Sequence, residues 1–206
     1  MKKIGIILLA VMVMLSMAAC VEEAAPEKPV IYLYPEQEMQ VSVKLDFNGK
    51  LTSAYPAYKN GWDVLAKPDG TLTDPETGRE YYCLFWEGVS NVSYDFSEGF
   101  VVAGADTEDF LENSLKKLGL TDKEANEFII YWLPRMEGNA YNLISFQQED
   151  YTDNAVLSVE PAPDTVLRVF MAFKPLEAPI EIPAQKLESP QRTGFALVEW
   201  GGAEIA

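Results

Sequence analysis

Residues 39–50 read MQVSVKLDFNGK, and the order of apolar and polar side chains in that stretch decides what kind of fold to expect. Val41, Val43, Leu45 and Phe47 fall on every second position, with Gln40, Ser42, Lys44 and Asp46 between them. A strand turns successive side chains to opposite faces, so this period of two predicts a strand buried on one side and wet on the other. Asn48 and Gly49 tolerate the positive backbone angles of a tight hairpin, so the chain should fold straight back through residues 50–53.

The same reading extends outward. Residues 30–34 (VIYLY), closed by Pro35, form a first short strand. Downstream, strands are expected at 62–66, 71–73 and 80–86, separated by a Pro68-Asp69-Gly70 turn and a second turn over 74–78. Residues 91–96 and 100–103 should add two more. The period then changes. A helix should open at Thr107, with acids in its first turn and Phe110, Leu111, Leu115 and Leu118 on one side, and stop at Gly119 with Leu120 closing the end. A second should open on the capping box Thr121-Asp-Lys-Glu124 and carry Ala125, Phe128, Ile129, Trp132 and Leu133 as a continuous stripe until Pro134 breaks it.

Strands return at 143–147, 155–160 and 166–173. A tail with prolines at 175, 179, 183 and 190 is expected to wrap as an extended edge, with residues 195–200 as a last strand. The fold class is therefore α+β: a mostly antiparallel, sandwich-like β-sheet domain with an inserted helical hairpin whose stripes cover a sheet face.

The N-terminal residues carry a different signal. Lys2 and Lys3 precede an apolar run over 4–17 that is too short for a permanent span and ends in small residues, as a secretory leader does. Met17-Ala18-Ala19-Cys20 resembles the lipobox of bacterial lipoproteins. That resemblance implies removal of residues 1–19 and lipidation (palmitate among the acyl chains) of Cys20, which would hold the protein on the extracytoplasmic face of a cell membrane or outer membrane. Residues 20–29 are acidic and proline-containing and read as a flexible tether, leaving 30–206 as a single globular domain with a proline-rich tail.

Composition narrows the chemistry. With 16 basic and 32 acidic residues in 206, the net charge of −16 speaks against a nucleic-acid partner, which would need clustered Lys and Arg. Histidine is absent. That removes Ser-His-Asp and Cys-His catalysis, HExxH zinc sites and every histidine-ligated metal. With Cys20 acylated, Cys83 is the remaining thiol, so neither a disulfide within the chain nor a cysteine-rich zinc site can form. No D-x-D-x-D-G calcium loop occurs, and no metal or cofactor is expected.

The candidate functional residues lie on either side of residues 80–87. Cys83 sits in an apolar strand with no base to activate it and reads as a core residue. Glu87, at the end of that strand, could meet Asp95 or Glu98 across a hairpin, and two facing carboxylates are the minimum for glycoside cleavage. Tyr55, Tyr58 and Trp62, in AYPAYKNGWD, are aromatic residues on a loop, suited to stacking on a sugar ring or gripping a protein. Arg168, the one cation in an apolar strand, needs a carboxylate partner, and Glu87 is one possibility.

The segments KPVIYLYPE, WDVLAKPDGTL, YYCLFWEG, EGFVV, GLTDKEANEFIIYWLPRM, ISF and PDTVLRVFMAF together resemble a family of uncharacterised bacterial exported proteins and lipoproteins that begin with a KPVIYLYP-type strand. The likeness runs from Lys28 to Leu176. It implies one exported domain and carries over no activity, ligand or catalytic residue. The sequence thus points to a lipid-anchored, extracytoplasmic, non-catalytic binding or envelope-associated module, with envelope glycan or protein as ligand. The alternative is a carboxylate-dependent hydrolase acting on envelope glycan.

Overall fold

The computed structural model describes residues 27–205. The leader, Cys20 and most of the tether lie outside them. Twelve strands and three helices follow in the order β1 (Glu27–Tyr34), β2 (Met39–Phe47), β3 (Lys50–Tyr55), β4 (Trp62–Ala66), β5 (Leu72–Thr73), β6 (Glu80–Tyr81), β7 (Leu84–Val89), β8 (Phe100–Ala103), α1 (Thr107–Lys117), α2 (Asp122–Met136), β9 (Tyr141–Gln147), α3 (Glu149–Thr152), β10 (Ala155–Glu160), β11 (Thr165–Leu176) and β12 (Ala196–Glu204). The fold begins at Glu27, so the last three residues assigned to the tether already belong to the first strand.

Seven strands form one sheet in the order β3-β7-β1-β12-β11-β9-β8, and five form another, β10-β2-β4-β5-β6. Every pairing is antiparallel except β11 with β12. The fold is the α+β, mostly antiparallel arrangement expected, with two apolar cores. Between the sheets, Val41, Val43, Leu45, Val64 and Leu72 of the smaller sheet meet Ile31, Leu33, Leu84, Trp86 and Leu197 of the larger. On the far face of the larger sheet, Leu111 and Leu115 of α1 and Phe128, Trp132 and Met136 of α2 pack against Ile144, Met171, Phe173 and Trp200. Each fully buried side chain of this size contributes about 1.5–3 kcal/mol, which is why both apolar stripes are committed to the sheet.

The local signals are realised in atomic detail. Thr121 Oγ1 accepts from the Glu124 N–H while the Glu124 carboxylate accepts from the Thr121 N–H. At the end of α1, Gly119 has φ +89° and the Leu120 N–H reaches back to the Leu115 carbonyl, closing a Schellman turn.

Five expectations are corrected. The chain does not fold straight back as a hairpin at Asn48-Gly49: β2 lies in the smaller sheet and β3 pairs with β7 in the larger, so the turn crosses from one sheet to the other. Residues 80–86 are not one strand: β6 ends in the smaller sheet, and the chain crosses through Tyr82–Cys83 to begin β7 in the larger. Residues 91–96 form no strand, because Asp95 is held by its own turn and by the Gln147 side chain instead of a ladder. Pro134 does not end α2, which runs to Met136. In the last turn a proline costs only the bond it would have donated to the Ile130 carbonyl, which faces solvent beside an exposed side chain. The last strand, β12, is not peripheral but lies between β1 and β11 at the centre of the larger sheet.

Candidate functional site

The aromatic loop after β3 builds the most elaborate surface of the molecule. Trp62, the first residue of β4, is 3% exposed, and its indole N–H donates to the Pro56 carbonyl at 2.8 Å. Tyr58 packs edge-on against it with ring centroids 4.7 Å apart, and the Tyr58 hydroxyl bonds both the N–H and the carbonyl of Leu45. These two residues brace the loop against β2. Tyr55 does the opposite. It is 50% exposed and meets Tyr81 of β6 at right angles, centroids 5.5 Å apart. The Arg79 guanidinium lies 5.8 Å from both rings. Of the three aromatic residues singled out by sequence, one faces solvent and two secure the loop that presents it.

Beside this platform opens a cleft of about 400 Å³, walled by Tyr81, Pro56, Lys59, Asn60, Asp63 and Glu76, among others. Asn60 has φ +95° and leads into Gly61 at φ +142°, a backbone turn that brings the loop back to Trp62. Its acids are held by short local bonds. The Asp63 carboxylate accepts from the Ser42 hydroxyl. Asp74 accepts from the Thr77 and Glu76 N–H groups, which hold its carboxyl below the usual carboxylate range. The cleft therefore offers fixed acceptors beside an aromatic wall, the mixture that recognises polyhydroxylated rings.

Sequence reasoning missed Tyr81, Arg79 and Tyr82, because YYC reads as a buried strand. The break between β6 and β7 leaves Tyr82 55% exposed. Cys83, 8% exposed, faces the helical core, and burial pushes its thiol up to about 12.

The carboxylates expected to pair do not meet. Glu87 follows Trp86 on β7, and its side chain shares a face with Phe85, which packs on the helical core. Asp95 is tied through both its N–H and its carbonyl to the side chain of Gln147, which points to the opposite face from Phe146 and thus away from that core. β9 is four strands from β7, a separation on the order of 20 Å at the usual strand spacing. Glu98 precedes Gly99 at the start of β8, one strand further still. Nor does Glu87 meet Arg168. The guanidinium Nε donates to Glu199 at 2.6 Å, its register partner on β12, and Trp86 Nε1 donates to the other Glu199 oxygen at 3.2 Å. Among the described residues, no group of three acidic or thiol side chains is placed to hold a metal ion.

No protein-family model matches the chain, and no solved structure matches it. A Butyrivibrio fibrisolvens protein described as an uncharacterised protein in the bglA 3′ region is 45% identical over 64 residues. That stretch is 30% of this chain and 65% of the relative's length.

Proposed function

We propose that the chain is a lipid-anchored, extracytoplasmic binding module that takes a glycan of the cell envelope against the Tyr55–Tyr81–Arg79 platform and is not a hydrolase. The observation that carries this reading is the exposed Tyr55 ring against half-buried Tyr81, with one guanidinium near both, beside a cleft whose acceptors are already oriented. A sugar ring lays its C–H face on such rings and directs its hydroxyls to the amide and carboxylates alongside. The lipobox-like run ending at Cys20 supports attachment to the membrane, and two or three acyl chains suffice to make it stable. The hydrolase alternative is less favoured, since Glu87 lies on β7, four strands from the β9 residue that holds Asp95.

Two measurements test the reading. Purified envelope glycan should bind the full chain saturably, and Tyr55→Ala with Tyr81→Ala should weaken that binding at least about tenfold. Unchanged binding by the double variant would remove the platform from the proposal. Cys20→Ala should shift the protein from the membrane to the soluble fraction, and persistent lipid-dependent retention would defeat the anchor.

A further inference from the structure

At the opposite edge of the larger sheet, among the described residues, no strand lies beyond β8 and no helix beyond α1. β8 ends the strand order, and α1 packs on α2 along its other side. Between them runs a groove of about 640 Å³ along the full length of both elements. Its helical wall is the single stripe Asp106, Asp109, Phe110, Asn113, Ser114 and Lys117. Its other wall is the edge of β8 itself.

The hydrogen-bond parity of that edge can be read from two bonds. The Gly104 N–H donates to Ala140, which continues β9, so even-numbered residues of β8 address β9. The Gly99 N–H donates the other way, to Pro183, so odd-numbered residues address the groove. Val101 therefore presents its N–H and its carbonyl to the groove, and Ala103 its N–H, while the Ala103 carbonyl accepts from the Thr107 hydroxyl. Among the described residues no strand pairs with that side of Val101 or Ala103.

The edge already accepts extended backbone one step earlier. Ala184, from the proline-rich segment, bridges Gly99 in parallel register, and the Gln185 side chain then ties both the N–H and the carbonyl of Phe146. Gln185 and Leu187 line one end of the groove, where Leu187 joins Phe100 and Phe110 as a half-buried apolar corner, the two rings 5.1 Å apart. Exposed Asp106 and Asp109 stand at the other end, beside Ala103.

We propose that this groove binds an extended peptide of a partner protein by strand addition to β8, with a large apolar side chain in the Phe100–Phe110–Leu187 corner and a Lys or Arg at Asp106 and Asp109. Main-chain bonds to Val101 and Ala103 supply the register, and the two side chains supply the choice of sequence. Phe100 and Ala103 are about 10 Å apart along the strand, and only alternate side chains of an extended guest face α1, so its basic and apolar residues stand two or four positions apart.

The test is selection of a displayed random-peptide library on the purified full-length chain, with affinities of the enriched peptides then measured by fluorescence polarisation. Enriched sequences should share a basic residue two or four positions from a large apolar one. Methylating the peptide nitrogen that faces Val101 should weaken binding about tenfold or more, since it deletes one main-chain bond while keeping every side chain. Asp109→Lys, an exposed change that leaves the core untouched, should weaken it by a similar factor at low salt. A library that yields no enriched sequence overturns the proposal, as do peptides indifferent to both changes. Sedimentation showing the chain pairing with itself through this edge would replace the partner with a second copy.

Discussion

The two faces of the larger sheet bury charge in opposite ways. Between the sheets, Arg168 and Glu199 form a closed pair whose side chains are 8% and 0% exposed, with the Trp86 indole on one side and the Tyr151 ring 4.7 Å from the guanidinium on the other. On the helical face, Glu124 and Arg192 sit at the rim, where Arg192 also donates to the Gly119 carbonyl. The first pair is surrounded by apolar side chains, and its surroundings leave Arg168 Nη2 and the Tyr151 hydroxyl without partners. The second has Glu124 at 1% and Arg192 at 24% exposed, and its Arg192 Nε likewise lacks a partner, so it differs in letting water reach one of its two members. A dry pair costs desolvation and specifies which strands lie together, whereas a rim pair mainly fastens. Arg168 and Glu199 are direct register partners in the one parallel ladder among the described residues.

The comparison is broken most severely by removing one member of the dry pair. Glu199→Ala leaves a guanidinium buried and uncompensated and should cost about 3–5 kcal/mol in chemical denaturation. The double replacement Arg168→Met with Glu199→Leu should recover most of that loss, because no charge is then stranded. A double variant as unstable as the single would show that the pair itself, and not its stranding, carries the stability.

Arg192→Ala should cost less, about 1–2 kcal/mol, since Glu124 keeps the Thr121 N–H and water can enter where the 24% exposed Arg192 stood. It should also change the response to acid. Burial of Glu124 opposes its ionisation, but Arg192, the Thr121 N–H and Tyr34 outweigh that and hold the carboxyl below its ordinary value of 4.5. A carboxyl whose folded value is depressed stabilises the protein fully above its unfolded value and loses that contribution as the pH falls through the folded one. Denaturation midpoints measured from neutral pH down to acid should therefore fall below about pH 4.5 in the parent and fall less steeply in Arg192→Ala. Parallel acid limbs in the two proteins would place the proton-sensitive contact elsewhere.

The smallest effect belongs to Tyr55→Ala, at the far margin from either pair. Its ring is half in solvent, so stability should change by no more than about 0.5 kcal/mol even as glycan binding weakens. A larger loss of stability would make Tyr55 a packing residue and weaken the functional reading.

What was legible in the sequence was local. The capping box at Thr121 and Glu124, the Gly119 stop and the alternation over residues 39–47 each depend on neighbours within a few positions, and each is realised. What was hidden depends on distant segments. Tyr81 joins the inter-sheet core, out of step with Cys83 and Phe85 on the helical one, because the chain changes sheet just before β7. The partner of Arg168 lies 31 residues downstream on a strand whose central place no local pattern announces. The candidate site divides along the same line. Tyr55 was found because proline and glycine mark its loop, whereas Tyr81 and Arg79 reach it only through the pairing of β4, β5 and β6.

The central position of β12 has a consequence for how the protein comes into being. It provides the one ladder between β3-β7-β1 and β11-β9-β8, and it brings Trp200 to Tyr32 across 168 positions of chain. While a ribosome still holds residues 196–204, the rest of the larger sheet is two three-stranded fragments with facing open edges and no ladder between them. Closure of the large sheet is therefore a late event in biogenesis, and until it happens β1 and β11 are bare strands for chaperones and proteases to find.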